Sequence, residues 1–369
     1  MSDADSRDGV AARLLPAVDR IILPGETRLT QAEVAAAAGV DAEYAKRLWR
    51  AMGFPDAKDD ERIFSEIDVR DLQALRQLTD LGVADLDVAL QLARVLGRSM
   101  ARVADAQVAS MRERIEGQLR EHGASEAEVA EAVTRVLELL LPTLDQFIVD
   151  AWRRHLAAAA KRTIMATSSS DDGHGPALAV GFADLVGFTA ISQQLDEHEL
   201  AKAVGRFEEI AYDTIAEHEG RVVKMIGDEV MFVADDLRAA AEVAVSLTEV
   251  YAEDEMLPDV RVGLSYGAAV VRDGDYFGPT VNLASRIVNI AYAGAAVVSE
   301  PVYEQLKDDS AFDWKPLRPR RLKGIGPTPL WVMTRAGEAP RSRIPADVKQ
   351  RIQERRARRL KREEERAGD

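Results

Sequence analysis

Four short segments carry groups that can do phosphate chemistry together. The first, Phe182-Ala183-Asp184-Leu185-Val186-Gly187-Phe188-Thr189, ends an apolar run on an aspartate and continues into a glycine turn. A carboxylate there, ahead of a turn that opens a helix, lies beside free backbone N–H groups, those of Gly187, Phe188 and Thr189. A metal ion and a phosphate can meet at such a place. The second, Lys224-Met225-Ile226-Gly227-Asp228-Glu229, sets another carboxylate between two β-rich runs, with Gly227-Asp228 as a hairpin signal. Two carboxylates on neighbouring strands can hold two divalent ions about 3.5–4 Å apart, which activates one oxygen and neutralises another. The third runs from Asp275 through Asn282 to Arg286, and the last two, four apart, share one face of a helix. The fourth, Arg321-Leu322-Lys323-Gly324, places a cation just before a glycine.

Each group alone has an ordinary structural reading. Asp184 can be a helix N-cap, Gly227-Asp228 a plain turn, Lys224 and Asp275 solvated charges. Asn282 and Arg286 can be helix-surface groups, and Lys323 a strand-edge lysine that discourages aggregation. What marks them as a set is their occurrence in order within about 160 residues of one chain.

The elements that position them are legible from periodicity. ALAVGFADL reads as a strand, the stretch from about Gln193 to His218 as a helix, and RVVKMIGDEVMFV as a hairpin. A helix from Leu237 to Tyr251 precedes the strand-like VRVGLSYGAAVV, and a further helix opens near Thr280. Alternating strands and helices to about Val332 make this part α/β or α+β. Residues 1 to about 165 read as helix throughout. Thr30 with Glu33 and Ser125 with Glu128 form capping boxes, Leu29 and Val34 a hydrophobic staple, and Pro142 predicts a kink or break. The run SSSDDGHGP (168–176) reads as a linker.

The 369 residues suggest two or three domains, and 47% hydrophobic content supplies a packed core. The absence of cysteine excludes disulfides, thiolate metal sites and a thiol nucleophile. No apolar run of about 18 residues predicts a membrane span. The start, MSDADSRDGV, is polar and unlike a signal peptide, so a cytoplasmic protein is expected. A net charge of -15 argues against coating nucleic acid through a global field. The exception is the stretch 341–369, with eleven Lys or Arg against six Asp or Glu. Its interspersed glutamates favour a solvated, self-paired helix over a lipid- or nucleic-acid-binding one.

FADLVGFT, KMIGDE, DYFGPTVNLASR and RLKG resemble the motif set of class III nucleotidyl cyclase catalytic domains, over about Ala177 to Arg335. The resemblance implies an α+β architecture: an all-α N-terminal regulatory domain (1–165), a linker (166–176), a ferredoxin-like-derived cyclase domain (177–337) and a basic tail (338–369). It further implies a head-to-tail homodimer with the sites at the subunit interface. In that pattern Asp184 and Asp228 bind two Mg²⁺ or Mn²⁺ ions per site, with the Leu185 carbonyl as a further ligand. Lys224 and Asp275 read the purine, Asn282 orients the ribose, Arg286 stabilises the pentavalent phosphorus, and Lys323 holds the β- and γ-phosphates. A lysine can donate to N1 of adenine and a carboxylate can accept from its amine; guanine reverses both edges. ATP is therefore the expected substrate and cyclic AMP the product, with a guanylate cyclase as the alternative.

The helical region resembles the autoinhibitory domains of soluble actinobacterial cyclases, which implies control by acidic pH or by lipid. His155 and His174 flank the expected junction and are candidate titrating groups. Within it, Thr30 to Phe54 resembles the helix-turn-helix of MerR-type regulators, with Lys46, Arg47 and Arg50 placed for phosphates. The acidic surroundings, including Asp41, Glu43 and Asp59, favour a packing module over a DNA-binding regulator.

Overall fold

The computed structural model describes residues 18–23, 25–83, 85–120, 125–169 and 177–338. His174, residues 170–176 of the expected linker and all but the first residue of the expected tail lie outside them. The chain divides into two compact units, Met1–Thr163 and Ile164–Asp369.

The first unit is helical among its described residues. Helices α1 (Gln31–Ala38), α2 (Ala42–Ala51) and α3 (Glu66–Asp80) each begin at a side-chain cap, from Thr30, Asp41 and Ser65 in turn. Thr30 and Glu33 form the reciprocal box expected of them, and so do Ser125 and Glu128 ahead of α5 (Glu126–Ser169). Val34, Leu48, Trp49, Val69 and Leu72 bury a small core with Leu90 of α4 (Leu86–Arg120).

Two expectations are corrected in α5. The helix continues through Pro142, so the break does not occur: the missing N–H removes one bond from a ladder of 44 residues. It also takes in Ser168 and Ser169, where a linker was expected to have begun, since a long ladder carries poor helix formers in its last turn.

The second unit is built on a sheet. Its elements are β1 (Ala177–Leu185), α6 (Phe188–Ser192), α7 (Glu197–Glu217), β2 (Arg221–Ile226), β3 (Glu229–Ala234), α8 (Leu237–Glu253) and β4 (Val260–Ala268). They continue with β5 (Val270–Arg272), β6 (Asp275–Phe277), α9 (Pro279–Val288), β7 (Ala296–Ser299), α10 (Glu300–Leu306), β8 (Phe312–Pro316), β9 (Arg320–Leu322), β10 (Gly326–Thr328) and β11 (Leu330–Arg335). Seven strands pair in the order β2-β3-β1-β4-β7-β11-β8, antiparallel except for β4 and β7.

Strand alternation sends neighbouring residues to opposite faces. Ala183 and Leu185 of β1, with Val230 and Phe232 of β3, join Phe207 and Ala244 of α7 and α8 in one core. Val180, Phe182, Met231 and Val233 meet Ala284 and Val288 of α9 on the other face. Asp184 and Glu229 continue this second set, so the alternation delivers both carboxylates to the α9 side. Gly263 of β4 lets α9 approach: a Cβ there would lie 2.4 Å from the Val288 nitrogen and 2.7 Å from the Ala284 oxygen.

Candidate active site

Asp184 is the penultimate residue of β1, and its antiparallel neighbours are Glu229 of β3 and Arg261 of β4. The Leu185 N–H donates to the Asp228 carbonyl at 3.0 Å, which ties the end of β1 to the β2–β3 turn and brings the two aspartates alongside each other. Gly227 takes a left-handed φ of 65° in that turn, as the hairpin reading requires. Leu185 is itself buried.

The electrostatics are those of crowded carboxylates. Burial pushes the Asp184 carboxyl above the ordinary range; a hydrogen bond and the charge of Arg261 oppose this, and the charge of Asp228 adds to it. Glu229 is pushed up to about 7, chiefly by burial and next by the charge of Asp184. Such a cluster calls for a cation. Two carboxylates are the hard oxygen donors that Mg²⁺ and Mn²⁺ accept. Among the described residues no three His, Cys, Asp or Glu side chains converge as a metal cage. An ion held there would take its remaining ligands from phosphates and water, as is usual for Mg²⁺.

Gly187 turns the chain with φ 77° into α6, a helix of five residues. Phe188 is buried and anchors this turn, while Gly187 and Thr189 are exposed. Among the described residues no backbone carbonyl takes the N–H groups of Gly187, Phe188 and Thr189.

Lys224 and Asp275, 51 residues apart, form an ion pair between β2 and β6. The Tyr276 N–H fixes the other Asp275 oxygen at 2.8 Å. An irregular register between Val222 and Lys224 re-aims the strand next to the lysine. The β5–β6 hairpin is held by Arg221, which donates to the Tyr276 hydroxyl at 3.1 Å, and by Thr280, which donates to the Ala268 carbonyl at 2.7 Å.

Pro279 opens α9, whose buried face is Thr280, Ala284, Ile287 and Val288. Asn282 and Arg286 therefore share its outer face and are exposed. Lys323 is exposed in the turn between β9 and β10. Among the described residues these three make no side-chain hydrogen bond or ion pair with the other site groups. Within one chain the set thus falls into joined pairs, Asp184 with Asp228 and Lys224 with Asp275, and outward-facing groups, Asn282, Arg286 and Lys323.

Two residues that sequence reasoning did not single out belong here. Arg261 binds Asp184 through Nε at 2.6 Å, and Glu229 lies beside Asp184 in the register. Their signals were present: a lone charge inside the apolar run VRVGLSYG, and a carboxylate directly after Asp228. In the first unit, Asp56 receives Arg50 at 2.7 and 2.6 Å and lies 3.7 Å from Lys46, so two of the three cations expected to face DNA are offset internally.

Comparison with known proteins gives this arrangement its family. Residues 2–159 match the model of an adenylate cyclase regulatory domain, and residues 174–335 that of an adenylate and guanylate cyclase catalytic domain. An adenylate cyclase of Streptomyces coelicolor is 38% identical over 90% of this chain and 92% of its own length. One from Streptomyces griseus is 40% identical over 81% of this chain and 72% of its own. A pH-sensitive adenylate cyclase of Mycobacterium tuberculosis is 31% identical over 85% and 79%.

Proposed function

We propose that this chain, which belongs to the adenylate cyclase family, converts ATP to 3′,5′-cyclic AMP and pyrophosphate at a metal-dependent site shared by two copies. The observation that carries the substrate choice is the Lys224–Asp275 pair. Its partners hold each other ready as one donor and one acceptor, the complement of adenine N1 and the adenine amine. Guanine would set N1–H against the ammonium and its carbonyl against the carboxylate, which leaves both unpaired.

Asp184 and Asp228, with the Leu185 carbonyl, are the residues that would hold Mg²⁺ or Mn²⁺. Bound there, the ions supply a lowered pKa for the ribose 3′-hydroxyl and a counter-charge for the departing pyrophosphate. Asn282 orients the ribose so that its 3′-oxygen lies in line with the α-phosphorus. Arg286, exposed and unpartnered among the described residues, is placed to neutralise the charge that grows on that phosphorus, a contribution of several kcal/mol in comparable sites. Lys323 and the free N–H groups of Gly187, Phe188 and Thr189 take the remaining phosphate oxygens. The outward aim of Asn282 and Arg286 supports a site completed by a second copy, in which one chain gives the aspartates and the other the purine and transition-state groups. The internal pairing of Arg50 with Asp56 favours a packing module over a DNA-binding one for α1 and α2.

Cyclic AMP formation with Mn²⁺ tests this reading. Wild type is expected to use ATP in strong preference to GTP, and Asp228→Ala or a chelator to abolish product. GTP turnover equal to that of ATP would make the chain a guanylate or mixed cyclase.

A further inference from the structure

Arg261 touches the proposed metal site at a point that the scheme above leaves unassigned. Its Nε donates to one oxygen of Asp184, Oδ2, at 2.6 Å, and its Nη2 lies 2.5 Å from the same oxygen as an ion pair. Its Nη1 reaches the carbonyl of Asn289, just past α9, at 3.3 Å. Among the described residues no group donates to the other oxygen, Oδ1. A divalent ion held by this carboxylate would seek the same oxygens, and a guanidinium already engaged on Oδ2 competes with it there. The Asp184 side chain is only 15% exposed, so water screens this competition poorly.

We propose that Arg261 is a positioning residue: an internal cation that holds Asp184 through Oδ2, leaves Oδ1 without a donor among the described residues, and would compete with a divalent ion for the carboxylate. The proposal rests on reading Asp184 as a metal ligand.

The test is Mn²⁺ binding to nucleotide-free full-length protein, read by the paramagnetic resonance of free Mn²⁺ and by thermal melting. Arg261→Met keeps the length and removes both the fork and the charge. It should bind Mn²⁺ about tenfold more tightly than wild type, the factor that accompanies loss of one charge-assisted contact. Without metal its melting temperature should fall below that of wild type, and Mn²⁺ should raise it by more. Should the Met variant fail to fold, Arg261→Lys, which cannot fork, should still bind Mn²⁺ more tightly than wild type. Affinity equal to or weaker than wild type in the folded variant overturns the proposal. If Asp184→Asn forms cyclic AMP with Mn²⁺ as fast as wild type, the metal reading itself falls and this inference falls with it.

Discussion

Glu229 shows how much a single residue of this site is governed by its surroundings. Its carboxyl sits at about 7 against an ordinary 4.5, because burial and the neighbouring Asp184 charge penalise the ionised form. A carboxyl whose folded pKa is raised contributes its full stability below the unfolded pKa and loses it as pH rises through the folded one. For Glu229 that window runs from about 4.5 to about 7. Glu229→Gln, which keeps the neutral shape, should therefore melt higher than wild type at pH 8 in metal-free buffer. The gain should be roughly 2–4 °C, the scale of 1 kcal/mol in a domain of this size, and should vanish as the pH falls towards 4.5. A gain that persists unchanged at low pH would mean that the charge of Glu229 is not the cause. Asp184, Asp228 and Lys224 stood out in the sequence because each ends or interrupts an apolar run, whereas Asp275 stood out only as part of its motif. Arg261 was not read as a partner of Asp184, for a physical reason: the two are 77 residues apart, and only the β1–β4 register brings them together.

At the level of elements, α9 carries Asn282 and Arg286, and its seat on the sheet depends on the missing side chain of Gly263. A Cβ there would meet main-chain atoms of α9, which cannot rotate away. Gly263→Ala should destabilise the unit by about 1–3 kcal/mol, as overpacking generally does, and should lower turnover by displacing α9. Chemical denaturation with a parallel activity assay checks both; unchanged turnover would show that α9 tolerates the shift. The strands and helices of this unit followed from their periods of two and 3.6, and the β2–β3 hairpin from Gly227-Asp228. Strand order was not legible, since pairing partners such as β4 and β7 are joined by long connections with no local signal. The long α5 misled in a different way. Pro142 costs about 3 kcal/mol in a helix interior and the serines 168–169 well under about 1 kcal/mol each, yet the 44-residue helix includes them all.

On the scale of the whole molecule, two proposals concern how the parts cooperate. The match to a regulatory domain and the pH-sensitive relative motivate a test of acid control. His155 is exposed on α5, while His174 lies outside the described residues. The ratio of full-length activity to that of a fragment starting near Pro176 should change across about pH 5 to 8, where histidine titrates. A flat ratio would dismiss acid control.

The central claim is that two copies complete each active site, and a mixture of two inactive chains tests it most directly. Asp184→Ala and Asn282→Ala should each abolish cyclic AMP formation alone. Mixed in equal amounts under conditions of exchange, they should recover about a quarter of the wild-type rate, because half of the dimers are mixed and each of these keeps one of its two sites intact. A mixture that stays as inactive as either parent, although mixed dimers have formed, would contradict the shared site.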